Sequence, residues 1–399
     1  MTRITLGTMT HTCPLRILEL YSGIGGMRVS ATESGLPFKI VGSYEINTTA
    51  LEVYRENFPE MTKPHNIMGL NVDELRKLNP DIIMMSPPCQ PFTRQGLKRD
   101  VEDARTSSFL HLLALLEEVP QPPNMILLEN VAGFETSQTR TQLISTLSRR
   151  NYVWQEFLLS PTQFGVPNSR LRYYLLAKQK PASFCFNLSD SVQNEFPLCL
   201  CVKGEEIETS KTRSCHHCAK PSLSSLHCLL HKFHCAMHPR CFNVGGSYAD
   251  VLPSLSYYLD VTNNLEPYFL NEKILNKYHM ILDIVNRDSQ KSCCFTKGYA
   301  YYVEGTGSVV QHNTKVKISE IYSRVQELAV DTPQKIELLQ QLQLRYFTPE
   351  EVARLMCFPS WFRLPKSITN KQKYKVLGNS INILVVTSLL LILTKNNKS

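Results

Sequence analysis

Six short, almost uninterrupted apolar runs alternate with helix-like stretches over residues 15–177, and this alternation restricts the fold more than any other feature of the chain. The runs fall at 15–20, 38–43, 81–85, 125–128, 155–160 and 171–177, while helical patterns mark 48–57, 109–119 and 139–149. A strand that is apolar at nearly every position must be buried on both faces. Strands of that kind, separated by helices, predict a doubly wound α/β sheet. Ligands of such sheets bind outside the carboxyl ends of the strands. Here those ends hold Ser22, Glu45, Cys89 and Glu129, so distant segments are expected to converge on one edge.

The pattern fades after Lys180. Residues 199–241 hold seven of the 13 cysteines and six of the 11 histidines, with little periodicity. A less regular stretch with Tyr299, Tyr301, Tyr302, Gly305 and Gly307 runs to about residue 331. Helix signals resume at 333–344, and 373–393 again reads as buried core. The simplest architecture is one catalytic domain interrupted by an inserted region. The run 381–393 is broken by Asn382, Thr387 and Ser388, too short and polar for a membrane span, so a buried helix or strand pair is expected. With 43% hydrophobic and 20% charged residues, disordered and collagen-like chains are excluded. A net charge of +8 permits a polyanionic partner without requiring one. Residues 1–11 carry no apolar run, so secretion is not expected and the odd number of cysteines reads as reduced thiols.

Several motifs carry chemistry. The turn Gly23-Ile24-Gly25-Gly26 lets backbone approach a ligand closely, and Glu45 follows Gly23 by 22 residues, near the offset at which a carboxylate grips ribose hydroxyls. The third glycine of the dinucleotide fingerprint is missing, as suits a nucleoside without a pyrophosphate; a tight turn with a solvated acid would look the same. The loop Ser86-Pro87-Pro88-Cys89-Gln90-Pro91-Phe92-Thr93 is more specific, because prolines bracket one cysteine at a strand end. A cysteine nucleophile works as the thiolate and needs local positive charge. Glu129-Asn130-Val131 places a carboxyl where burial can raise its pKa, making it a proton donor, although a helix cap would also place an acid there. Arg170 and Arg172, two apart, can point to one face as a strand begins and clamp a phosphate or a carbonyl; a solvated basic edge is the plain alternative.

Together these residues resemble the cytosine-C5 methyltransferase family over residues 16–178 and 345–393, including Gly378-Asn379-Ser380 near the end. Asn168 departs from the pattern, since DNA enzymes of the family usually carry Gln there. A narrower resemblance lies in Cys294-Phe295-Thr296-Lys297-Gly298-Tyr299 and Glu304-Gly305-Thr306-Gly307-Ser308, which look like the signature of the aspartate-tRNA methyltransferase branch. The resemblance implies a class I S-adenosylmethionine-dependent, Rossmann-like sheet with a smaller inserted target-recognition domain. The first part of the catalytic domain would span 14–182, an irregular Cys/His-rich connector 183–250, the target-recognition region 251–343 and the catalytic return 344–395. The implied reaction is C5-methylation of a cytosine in the anticodon loop of tRNA, cytosine 38 of tRNA(Asp), by addition of Cys89 to C6. Glu129 would act at N3, and Arg172 with Arg170 would hold the O2 side or a phosphate. Ile24, Gly25 and Gly26 would line the methionine part of S-adenosylmethionine, Glu45 the ribose, Ile46, Ile67 and Met68 the adenine, with Ser86 and Ser380 closing the pocket. Gln90, Thr93, Cys294, Phe295, Thr296, Lys297 and Tyr299 would touch substrate, and Tyr301 is a further candidate; for the tyrosines, domain packing is an equal reading.

The partners implied are tRNA and, more weakly, DNA, with no membrane, a monomeric chain, and cytoplasm and nucleus as compartments. Within 199–241, Cys215-His216-His217-Cys218 has a spacing suited to zinc, but the second half has no paired spacing, so no metal is assigned and a zinc module, a disordered insert and a mistranslated segment compete. Two rival functions stand beside the first: a DNA cytosine-C5 methyltransferase, and a catalytically silent RNA-binding homologue, against which the intact Cys89 and Glu129 argue.

Overall fold

The computed structural model describes residues 13–60, 65–88, 106–197, 252–260, 264–328 and 332–395. Strand β1 (Leu15–Leu20) pairs in parallel with β2 (Phe38–Tyr44) and β3 (Ile82–Met85), and β3 pairs in parallel with β4 (Met125–Val131). The next two strands, β5 (Tyr152–Leu159) and β6 (Arg172–Gln179), form a wide antiparallel pair, and β6 inserts between β5 and β4. The order is therefore β2-β1-β3-β4-β6-β5, a mixed sheet. The reversal before β6 is local: Pro161–Phe164 make a 3-10 turn closed by a Ser160–Gln163 capping box, and Gly165 takes φ 75°.

Alternate strand residues feed two cores. Ile17, Ile82, Met84, Leu127 and Leu176 face one side, covered by α1 (Gly26–Glu33), α2 (Thr48–Asn57) and the C-terminal helix. Leu18, Leu20, Ile83, Met85, Leu128 and Leu175 face the other, covered by α3 (Val72–Leu78), α4 (Ser107–Glu118) and α5 (Gln138–Arg149). Burial on both faces is the reason these strands read as continuous apolar runs. Of the connector expected at 183–250, residues 183–197 are described; Phe184 and Phe196 join the first core and Gln193 bridges Phe157 of β5. The Cys/His-rich stretch 199–241 lies outside the described residues.

The inserted region has its own three-stranded sheet, β7 (Ile284–Val285), β8 (Val309–Gln311) and β9 (Leu344–Tyr346). Helices α6 (Glu272–Tyr278), α7 (Ile318–Gln326) and α8 (Pro333–Gln340) pack on it through Leu275, Ile321, Val325, Leu338 and Leu339. The helix expected over 333–344 stops at Gln340, because Gln343 turns left-handed (φ 48°) and Leu344 enters β9. The strand at the expected start of the catalytic return thus belongs to the small sheet, and the chain re-enters the large core with α9 (Pro349–Leu355). A buried ion pair marks this junction. Arg345 donates to both oxygens of Glu351 (2.7 and 2.8 Å), which also accept the backbone N–H groups of Thr348 and Asp260 (2.8 Å each).

After α10 (Asn370–Gly378) comes α11 (Ile383–Thr394), capped by Asn382 and buried at 11 of its 12 positions. The stretch Asn370–Thr394 has the length and composition of a membrane span, but it is two helices and the apolar one is inside the protein. Its polar groups are satisfied there: Thr387 Oγ1 donates to the Ser30 carbonyl (3.1 Å) and Ser388 Oγ to that of Leu384 (2.8 Å). This is the buried C-terminal helix that the interrupted apolar run suggests.

Candidate active site

The carboxyl ends of β1 to β4 open onto a cavity of about 690 Å³, within the range of small-molecule sites. At the end of β1 the chain turns through Tyr21 (φ 54°), Gly23 (φ 55°) and Gly25 (φ 88°) before α1. Of the expected donor contacts, Ile24, Gly26, Glu45, Ile46, Ile67, Met68, Ser86 and Ser380 all line the cavity. Gly25 is not among its lining residues. A Cβ there would lie 2.7 Å from the Phe58 ring and 3.2 Å from Tyr54, so this glycine lets α1 close onto α2. The Glu45 carboxylate is fixed by three backbone N–H donors, Gly23 (2.9 Å), Ile46 (2.9 Å) and Asn47 (2.7 Å). Ile46 and Met68 remain 65% and 49% exposed at the rim, apolar side chains suited to the two faces of a planar ring.

A second acid lies under the glycine turn. Glu19, buried in β1, accepts from the Arg28 N–H (3.2 Å) and the Tyr54 hydroxyl (2.8 Å), and burial pushes its carboxyl up to about 7. It anchors the first turns of α1 from below.

The far end of the cavity is charged. Glu129 is buried at the end of β4, and burial raises its carboxyl above the ordinary range against the pull of Arg172 and Arg170. Arg172 Nε stands 3.5 Å from Glu129 Oε1, and its Nη2 reaches the Cys294 thiol at 3.7 Å. Burial pushes that thiol up, but the two guanidinium groups outweigh it and hold Cys294 below its usual value. Asn130, which follows Glu129, donates to the Pro87 carbonyl (3.4 Å) and so ties the acid to the Pro-Pro loop. Pro87 and Pro88 line the cavity; Cys89, Gln90 and Thr93 lie outside the described residues.

The two arginines do different work, a correction to the expected paired clamp. Arg170 is buried and donates to the carbonyls of Phe295 (3.0 Å), Gly378 (3.1 Å) and Ser380. It is a strut joining β6, the 294–297 segment and the end of α10, with both of its Nη atoms already engaged. Asn168 belongs to the same joint, donating to Ser292 Oγ (3.1 Å) and the Cys293 carbonyl (2.9 Å). The departure at this position therefore sits at a domain contact.

The expected substrate contacts divide as well. Lys297 is exposed and Thr296 half-buried. Phe295 and Tyr299 are buried in an aromatic cluster with Phe347 and Tyr374, so substrate cannot touch them. The Tyr299 hydroxyl donates to the Ser308 carbonyl (2.6 Å) and accepts from the Phe347 N–H (2.9 Å), which satisfies it internally. Residues of α10 that the motif reading passed over, Gln372, Lys375 and Val376, also line the cavity. Their signal was proximity to Gly378-Asn379-Ser380, without any pattern of their own. Among the described residues no group of three or more His, Cys, Asp or Glu side chains could hold a metal ion.

A mixed α/β sheet with a glycine turn and acid at the first two strand ends, and a buried acid beside an arginine at the fourth, defines a class I methyltransferase. Residues 15–395 match the family model described as C-5 cytosine-specific DNA methylase, and the chain belongs to that family. It is 43% identical over 95% of its length to a Bos taurus protein named tRNA (cytosine(38)-C(5))-methyltransferase, of which 99% is covered. It is 36% identical, over 96% of its length and 95% of the relative, to a Dictyostelium discoideum protein named DNA (cytosine-5)-methyltransferase. A crystal structure of a Spodoptera frugiperda DNMT2 mutant superposes with a TM-score of 0.76 at 37% identity, covering 96% of this chain and all of that one. Enzymes of this type take the methyl group from S-adenosylmethionine, and the cavity fits that donor: an anchored carboxylate for ribose hydroxyls, exposed apolar walls for a purine and a backbone turn for the amino-acid end.

Proposed function

We propose that this chain methylates C5 of a cytosine in the anticodon loop of tRNA, cytosine 38 of tRNA(Asp), with duplex DNA a weaker substrate. The observation that carries the reading is the buried Glu129, raised by desolvation, 3.5 Å from Arg172 and joined through Asn130 to the loop that continues into Cys89. The relatives named for tRNA support the choice of polymer. A base must leave its stack to enter such a cavity, which costs least in an unpaired loop.

Bound S-adenosylmethionine supplies an electrophilic methyl group; the rest is the work of this chain and the base. The Cys89 thiolate adds to C6 while Glu129 delivers a proton to N3, leaving an enamine nucleophilic at C5. Arg172 orients the Glu129 carboxyl and offers its remaining donors to the O2 side. After C5 is methylated, a base or water takes the C5 proton, N3 returns its proton to Glu129, and the C6–S bond breaks to release Cys89. The described cysteines Cys13, Cys185, Cys293, Cys294 and Cys357 are not joined in disulfides, which suits a reducing compartment, cytoplasm and nucleus. A monomer is the proposed active unit.

The test compares transfer from labelled donor to total tRNA and to duplex DNA, with wild type and Cys89→Ala. Transfer to tRNA that Cys89→Ala abolishes is expected. Transfer to DNA alone, or turnover by Cys89→Ala, overturns the reading.

A further inference from the structure

We propose that Tyr301 and Tyr302, with Lys371, form a stacking platform for an unpaired nucleotide next to the target base. This deepens the tRNA reading and rests on it. The turn that buries Tyr299 presents the next two tyrosines outward: they are 58% and 64% exposed, although tyrosine of this bulk is usually covered. Their rings meet edge to face, centroids 4.6 Å apart at 78°, and form an open corner. Lys371 Nζ sits 3.8 Å from the Tyr301 centroid.

The backbone that carries the two rings is held in place by its own hydrogen bonds. Tyr301 and Tyr302 N–H both bond the Gly298 carbonyl (3.0 and 2.8 Å), Thr306 Oγ1 bonds the Tyr302 carbonyl (2.7 Å), and Thr296 N–H bonds the Thr306 carbonyl (2.9 Å). A tyrosine has only two side-chain torsions, so ordering its ring against a base costs little entropy once the backbone is fixed.

Its position selects the occupant. Lys371 lies one turn before Lys375 on α10, about 6 Å along the axis, and Lys375 lines the cavity. Lys297, exposed, comes from the same turn as the tyrosines. A row of exposed ammonium groups from a reaction cavity to an aromatic corner matches a polyanion whose bases are unpaired: phosphates meet the lysines and a base meets a ring. A protein partner would gain nothing from continuity with the cavity.

The test measures kcat and KM for tRNA with Tyr301→Ala/Tyr302→Ala, with Tyr301→Phe/Tyr302→Phe and with wild type, donor affinity serving as the folding control. The alanine pair is expected to raise KM roughly tenfold, the scale of a lost base–aromatic stack, with kcat within about twofold. The phenylalanine pair, which keeps the rings, is expected to match wild type. An unchanged KM in the alanine pair overturns the platform, and that is also what a protein-docking role for these tyrosines would give. Equilibrium binding of an anticodon stem-loop RNA separates this inference from the one it rests on. If wild type binds that RNA but methylates none, the function fails while the tyrosine dependence of binding still decides the platform.

Discussion

Glu129 and Arg172 set the chemistry of the site through a balance of two effects. Burial favours the neutral acid, the guanidinium at 3.5 Å favours the anion, and burial wins. A carboxyl raised in this way keeps its proton to higher pH, so a step that needs it as donor slows as pH climbs through that pKa. Glu129→Gln is expected to lower the single-turnover rate roughly a hundredfold or more and to remove the falling alkaline limb. A limb that persists unchanged in the variant would assign it to another group. Glu129 was readable from its place after an apolar strand, and so were the two arginines. Their division of labour was not. Arg170 became a strut because the carbonyls of Phe295, Gly378 and Ser380, more than a hundred residues away, arrive around it.

Between elements, the decisive joint is where the 294–298 turn meets the end of α10. A Cβ on Gly378 would lie 2.2 Å from the Thr296 carbonyl carbon and 2.3 Å from the Lys297 nitrogen, backbone atoms with no freedom to swing aside. Gly378→Ala is therefore expected to cost roughly 1–3 kcal/mol of stability, as overpacking does, and to depress RNA methylation by displacing the recognition turn. A denaturant midpoint and a rate both equal to wild type would show that the joint yields freely. The same turn explains why Tyr299 and Tyr301 look alike in sequence and part in space. Ala300 takes φ 59°, the chain folds back, and one ring enters the aromatic core while the next two face water. No spacing rule distinguishes them, because the turn is closed by backbone bonds that any residue type could make, Tyr301 and Tyr302 N–H to the Gly298 carbonyl and Thr296 N–H to the Thr306 carbonyl.

Over the whole molecule, stability carries a pH signature from the acid beneath the glycine turn. The Glu19 carboxyl has its folded pKa raised from 4.5 to about 7, so the folded chain keeps a proton that the unfolded chain has released. Stability from this group is full below 4.5 and is lost as pH rises to about 7. Relative to Glu19→Gln, wild type is expected to lose about 3 kcal/mol across that window. Denaturant unfolding at several pH values checks this, and parallel curves for the two proteins would refute it. The linear chain determined the alternating strands and helices, the burial of the C-terminal apolar run and the residues at strand ends, because each depends on local periodicity and on polar groups placed where apolar runs stop. The tertiary structure alone decided the antiparallel insertion of β6, the membership of β9 in the small sheet, and which tyrosines and which arginine remain free to meet a ligand. The first two depend on pairing between strands distant in sequence, and the last on carbonyl partners that arrive only when residues 292–308 and 370–380 close on the first 180.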